Sequence, residues 1–303
     1  MNQFVLSGLD GSNPLAFLAA CGVARLATLR WPQLSPVLHW QRRGVWVPVL
    51  SGVPSVTSEE LCQELTQAPA APIELFEVLG KNLTVAPNQF AEFVEKAEEL
   101  AEKYPSGVDF AAAFGSEVCT DDKGDRIRYT DLCFITGSGH QDFLGTGKEL
   151  QECVDHNKIH HCLFESIDDC DKGFSFRWSP GDARHYARRW KNPGPEGAWT
   201  NWGANRLAFE ALPLFPTQPM EKRLKTTGFR RVKGQTEFTW PIWEMPLGID
   251  EMRSLFSLGV LHGEGVDSEV VRGRGISEVF RSARVRIGKG ANFKVSFLAS
   301  RAV

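Results

Sequence analysis

The sequence predicts a mixed α/β protein of the α+β kind, with strands and helices in an N-terminal portion packed on a basic C-terminal portion that carries a late β-hairpin. Two patterns, together with size and composition, predict it. Apolar residues recur at helical spacing over residues 15–29, 87–104 and 203–211, whereas 37–40, 45–50, 173–178, 278–287 and 293–298 read as strands. At 303 residues, 42% hydrophobic and 11% aromatic, the chain can bury a substantial core as one large domain or two smaller ones.

In chain order, residues 3–6 form a short strand and 7–12 a turn that delivers Asn13 as N-cap and Pro14 to the first helical position. The helix over 15–29 is apolar nearly all round, with Gly22 allowing a close neighbour and Pro32 ending it, so it belongs to the core. Residues 37–40 and 45–50 flank Arg42-Arg43-Gly44 as a hairpin. Thr57 and Glu60 form a capping box with Val56 and Leu61 as a staple, predicting a helix to about Gln67, and 68–72 is a loop. Pro87 starts an amphipathic helix with Phe90, Phe93, Val94, Ala97, Leu100, Ala101 and Tyr104 on one face and glutamates on the others.

After an acidic loop at Asp121, Asp122 and Asp125 come a strand over 127–135 and a helix over 141–154. Residues 173–178 alternate Phe174, Phe176 and Trp178 with Ser175 and Arg177, a strand with one buried face. Ser179 then caps a helix on which Ala183, Tyr186, Ala187 and Trp190 share one face and Arg184, Arg188 and Lys191 another, a basic ridge continued by Arg189. A second short helix over 203–211 presents Ala204, Leu207, Ala208 and Ala211 on one side, pairs Arg206 with Glu210 at i,i+4, and stops at Pro213. Lys222, Arg223, Lys225, Arg230, Arg231 and Lys233 follow, read as a basic loop. Residues 250–258 are helical, and the late hairpin turns around Lys289 with Arg284 and Arg286 on one face.

Net charge is −3, yet residues 1–171 hold 12 Lys+Arg against 25 Asp+Glu (−13) and residues 172–303 hold 22 against 12 (+10). Such asymmetry points to a polyanion or an acidic partner for the basic portion, or to neutralisation of one portion by the other. The portions 1–171 and 172–303 are read as two α/β units or as one continuous domain. Without a run of eighteen apolar residues, and with a start that lacks a basic leader, the chain reads as cytoplasmic. Seven cysteines at irregular spacing fit a reducing compartment.

Several catalytic signals fail on their own chemistry. Residues 143–149 have the look of a phosphate loop, but Asp142 stands where its first Gly belongs and Glu149 replaces the Ser/Thr. Cys153, His156, His160, His161, Cys162 and Cys170 fit no zinc spacing. Gly137-Ser138-Gly139-His140 lacks the nucleophile-elbow pattern. No cofactor or metal is expected.

The segment LSGLDGSNPLAFLAACGVARL at 6–26, together with Arg177-Trp178, Asp182, Tyr186-Ala187, GANRLAFEALPLFP at 203–216 and TWPIW at 239–243, resembles large-subunit-like proteins of type I CRISPR effector complexes, particularly subtype G, formerly designated U. That resemblance covers about two thirds of the chain in motif order. It implies a non-enzymatic subunit of a Cascade-like antiviral complex, with guide RNA, target DNA and other effector subunits as partners and strand cleavage left to a separate helicase-nuclease. Such a subunit needs backbone contacts over a wide surface plus a few groove-reading groups. Candidate contacts are Arg177, Arg184, Arg188, Arg189, Lys191, Asn205, Arg206, Lys222, Arg223, Lys225, Arg230, Arg231, Lys233, Arg284, Arg286 and Lys289. Asn205, Gln141 and Gln235 could read base edges, and Trp199 and Trp202 could stack on unpaired bases. The alternatives are a structural adaptor without nucleic-acid contact and a metal-dependent nuclease or hydrolase.

Overall fold

A computed structural model describes residues 2–68, 70–134, 142–168, 170–180, 199–221, 223–287 and 294–303. The chain opens with β1 (Asn2–Val5) and the helix α1 (Pro14–Arg30), which begins as its capping signals require: Asn13 accepts the Leu15 N–H and Pro14 occupies the first turn. A hairpin of β2 (Val37–Arg43) and β3 (Val45–Val53) follows, turning at Gly44 with φ 80°. These strands form an antiparallel sheet in the order β1-β3-β2. Next comes α2 (Ser58–Gln67), whose capping box is complete, with Thr57 N–H donating to Glu60 at 2.8 Å and Glu60 N–H to Thr57 Oγ1 at 3.2 Å.

Five elements cover the next stretch: α3 (Ile73–Phe76), α4 (Pro87–Glu99), α5 (Gly107–Phe114) and the small ladder of β4 (Gly115–Thr120) with β5 (Ile127–Tyr129). Helix α4 ends earlier than the apolar spacing suggests, and Leu100 and Tyr104 reach the core from the turns beyond it. Strand β5 is likewise shorter than the 127–135 reading, because Cys133 N–H turns back to the Thr130 carbonyl at 3.1 Å. Then come α6 (Phe143–Cys153), α7 (His156–His160), β6 (Asp171–Lys172), β7 (Trp199–Thr200) and α8 (Trp202–Glu210). The remainder is β8 (Thr217–Met220), β9 (Arg223–Thr226), β10 (Phe229–Val232), β11 (Gln235–Trp243), α9 (Ile249–Phe256), α10 (Ser268–Arg272), β12 (Ile276–Ile287), β13 (Lys294–Phe297) and β14 (Arg301–Ala302). The second sheet runs β10-β11-β12-β13, with β14 also pairing β12. The mixed α/β class expected from the sequence is therefore the one found.

Helix α1 organises the interior. Every residue from Pro14 to Ala27 is buried. Phe17 packs on Trp40 of β2, on Phe238, Trp240 and Trp243 of β11, and on Phe256 of α9, which joins the two sheets through one side chain. On its other flank α1 meets α8 so closely that a Cβ at Gly22 would lie 1.8 Å from the Leu207 carbonyl oxygen. Three charges are sealed in this contact. Glu210, with no exposed side chain, accepts from Arg25 at 2.9 Å and from Arg206 at 2.5 Å, and both its oxygens take the Ala71 N–H at 3.0 Å. Burial lowers the Arg25 pKa from its ordinary value, an effect that Glu210 opposes.

The alternation over 173–178 does not make a strand. Phe176 and Trp178 are buried and stacked at 4.6 Å, but Phe176 N–H goes to the Asn205 side chain at 3.0 Å and Arg177 turns the backbone to φ 62°. The segment is an irregular apolar plug, held by side-chain hydrogen bonds instead of a ladder. No described helix is long and apolar enough to cross a membrane.

Candidate nucleic-acid interface

The basic run after α8, read from sequence as a loop, is folded into strands. In β9, Arg223 and Lys225 are exposed while Leu224 and Thr226 are buried, the period-2 alternation of a half-covered strand. Thr226 Oγ1 anchors the strand by accepting the Asp131 N–H at 2.8 Å. Between β10 and β11 the turn is only Lys233-Gly234, with φ 49° and 80°, and Val232 faces Gln235 as the last pair. Positive φ at both central residues is the signature of a type I′ hairpin turn. It projects the exposed Lys233 at a rigid tip.

Two carboxylates gather the arginines of the larger sheet. Glu237 lies opposite Arg230 in register and accepts its Nε and Nη2 at 2.7 and 2.6 Å. Arg301 reaches the other oxygen at 3.2 Å, and Arg281 Nε stands 4.0 Å away. Arg281 is 1% exposed; it donates to Thr239 Oγ1 at 3.0 Å and to the Leu261 and Gly263 carbonyls at 3.1 and 3.2 Å. Burial and then the neighbouring Arg230 bring its pKa down to about 10, so it stays charged at neutral pH. Burial, followed by the charge of Lys225, holds the nearby His262 below the usual imidazole range.

Asp131 is the second collecting point. Its Oδ1 accepts from Arg231 at 3.0 Å and Arg284 at 3.4 Å, and its carbonyl takes Arg284 at 2.9 Å. The Arg284 guanidinium also sits over the Phe134 ring, 5.7 Å from its centroid. Arg230, Arg231, Arg281, Arg284 and Arg301 thus share the two carboxylates Glu237 and Asp131, leaving a positive excess. A carboxylate bound to one edge of a guanidinium fixes its plane and leaves other N–H groups pointing away, an arrangement that preorganises phosphate contacts. Arg231 and Arg301 are the accessible members, with side chains 54% and 66% exposed. Among the described residues no acidic side chain lies within ion-pairing distance of Arg223, Lys225 or Lys233.

The other expected contacts divide sharply. Asn205 and Arg206 are not surface groups. Asn205 is fully buried, donates to Thr200 Oγ1 and the Asn201 carbonyl and accepts from Phe176, while Arg206 is spent on Glu210. Both are corrections to the sequence reading, and they arise because α8 is buried on every side from Gly203 to Glu210. Arg177 is half-buried in the plug; Arg286 is exposed on β12 beside Arg284. The ridge residues Arg184, Arg188, Arg189 and Lys191, and also Lys222, Lys289 and Gln141, lie outside the described residues. Gln235 is exposed at the start of β11, and Trp199 is 42% exposed. Trp202 is covered by Phe174 on one side and has Lys158 4.9 Å from its ring centroid. Sequence reasoning missed Arg281, Arg301 and their carboxylates. Only the alternation in 223–226 could have hinted that this run was a sheet surface.

The segment resembling a phosphate loop is helix α6, and Gly147 serves packing: a Cβ there would sit 3.0 Å from the Phe209 ring. Among the described residues no group of three or more His, Cys, Asp or Glu is placed to hold a metal ion. All seven cysteines are free thiols, and burial pushes the Cys62 pKa up to about 12 and that of Cys21, Cys133 and Cys162 upward as well. Neutral, covered thiols of this kind are poor nucleophiles. No family model matches the chain, and no curated protein matches it.

Proposed function

We propose that the chain is a non-enzymatic, cytoplasmic subunit of a CRISPR RNA-guided effector complex, contacting target DNA or guide RNA through the accessible cations of β9, β10, β12, β14 and the β10–β11 turn. The observation that carries this reading is the surplus of arginines over carboxylates, around Glu237 on one face of the larger sheet and around Asp131 on the other, with Arg301 and Arg231 as the accessible members. Bordering it are Arg223, Lys225 and Lys233, cations with no ion-pair partner among the described residues. Fixed guanidinium groups on a rigid sheet suit a polyanionic backbone, whose shape they follow without reading its bases. The resemblance of the 6–26 and 203–216 segments to type I-G large-subunit-like proteins supplies the biological setting. In that setting other effector subunits are the protein partners and a helicase-nuclease cuts the DNA.

The test is a salt titration of duplex DNA and single-stranded RNA binding, with wild type beside Arg223→Gln/Lys225→Gln/Lys233→Asn. Each lost phosphate contact on a duplex should lower the slope of log K against log salt by about 0.9, so the triple variant should lose about 2.7. From 50 to 200 mM salt the wild-type affinity then falls about 40-fold further than the variant's. An unchanged slope, or no wild-type binding at low salt, defeats the proposal. A triple variant that binds nucleic acid normally but fails to join the complex favours the adaptor reading. Incubation of either protein with DNA and magnesium or manganese should leave the strands intact.

A further inference from the structure

At the opposite end of β12 from Arg284 lies a cleft of about 320 Å³ between the β2–β3 hairpin and α10. Its walls are built around a cross-strand pair. Arg42 and Trp46 face each other in register, and the Arg42 guanidinium lies over the Trp46 ring, 5.3 Å from its centroid. Glu278 of β12 locks both: its Oε2 accepts from Arg42 Nη1 at 3.2 Å and from the Trp46 indole N–H. Trp46 is only 7% exposed, so its ring backs the pair, whereas the Arg42 side chain is 62% exposed and offers an open outer face. Arg272 of α10 stands exposed across the cleft with no acidic side chain within ion-pairing distance among the described residues, and the buried Val271 and Val279 supply an apolar floor.

A guanidinium held rigid by an aromatic ring and a carboxylate is a stacking surface for a planar base. Because Glu278 commits Oε2 to its two donors, Oε1 is left to accept from a ligand. We propose that this cleft binds a single nucleotide whose base carries an exocyclic amine: the base stacks on Arg42, the amine donates to Glu278 Oε1, and the phosphate pairs with Arg272. The volume suits a base and its ribose, the scale of small-molecule sites in general. A flexible, fully hydrated arginine would supply charge alone; here the plane is fixed before the ligand arrives, which removes part of the ordering cost of binding.

The experiment is isothermal titration calorimetry of the full chain at low salt with AMP, CMP, UMP and inorganic phosphate. AMP and CMP should bind at least tenfold more tightly than UMP and than phosphate. Arg42→Ala and Arg272→Ala should each weaken AMP at least tenfold. Glu278→Gln, which keeps an oxygen for the Trp46 indole, should bring the AMP-to-UMP ratio toward one. Equal binding of all four probes, wild-type AMP affinity in the Arg42 and Arg272 variants, or no AMP binding at millimolar concentration would each overturn the proposal. Arg223→Gln/Lys225→Gln/Lys233→Asn should retain AMP binding, and Arg42→Ala should retain the duplex salt slope, so failure of this site and failure of the basic sheet are separate results.

Discussion

Replacing Glu210 by Gln removes one charge and almost nothing else. The amide oxygen can still accept the Ala71 N–H, and the side-chain volume is conserved, but Arg25 and Arg206 are left facing a neutral group with side chains 4% and 8% exposed. Arg25 Nη2 already lacks a hydrogen-bond partner among the described residues, and its Nη1 depends on Glu210. Breaking a buried pair by deleting one partner costs about 3–5 kcal/mol, and here two cations share the loss. For a chain of this size that lowers the thermal midpoint by on the order of 10 °C. Calorimetry and urea unfolding of wild type and Glu210→Gln should show it as a lower midpoint with unchanged m-value. The control is Glu64→Gln, whose partner Arg30 is 40% exposed and whose removal should shift stability by no more than about 0.5 kcal/mol. If Glu210→Gln melts within about 2 °C of wild type, the buried triad does not hold α1 to α8.

Three further outcomes follow from the same geometry. Gly22→Ala should destabilise by at least about 1–3 kcal/mol, since its Cβ meets the Leu207 backbone and the helices must part; an unchanged urea midpoint would refute the close approach. Lys233→Asn should raise stability by about 0.5 kcal/mol while weakening DNA binding, because Asn tolerates the positive φ of the turn and carries no charge, and a destabilised variant would contradict the type I′ assignment. His39 and His262 are both held below the ordinary imidazole value of 6.5, His39 by burial and His262 by burial and then Lys225, so the unfolded chain binds more protons in acid. Their contribution to stability is present above about pH 6.5 and lost as pH falls through the lowered folded-state values, so the urea midpoint should drop between pH 7.5 and 5.5, and drop less in His262→Gln.

Local signals were legible in the sequence and non-local ones were not. The Asn13-Pro14 start of α1, the Thr57/Glu60 box of α2 and the α8 segment each depend on neighbours within one turn, and each is found. The late hairpin has the predicted antiparallel pairing, with Arg284 and Arg286 on one face. Yet Arg284 shares that face with Phe280 and Phe297 and is partly covered by Asp131, a residue 153 positions away that no spacing could have nominated. Charge density hid strands β9 and β10, since six cations in twelve residues resemble solvated loop more than sheet. In 173–178 the period was right and the inference wrong, because alternation reports burial and cannot report whether a partner strand exists to complete a ladder. Arg25 was the neglected clue in α1. An arginine inside an otherwise apolar helix demands a buried carboxylate, and Glu210 of α8 is the residue that answers it.

The all-round burial of α1 sets a problem of timing on the ribosome. Its apolar surface leaves the exit tunnel well before many of the side chains that cover it: Trp240 bonds to the Gly11 carbonyl across 229 positions, and Arg25 reaches Glu210 across 185. At about 5–20 residues per second, roughly 10–45 s separate the appearance of α1 from that of β11. Through most of that interval the 17-residue helix has only the partial cover that Trp40 of β2 and its near neighbours in sequence provide. Slowing translation between α1 and β11 would lengthen the exposure of this apolar surface to aggregation.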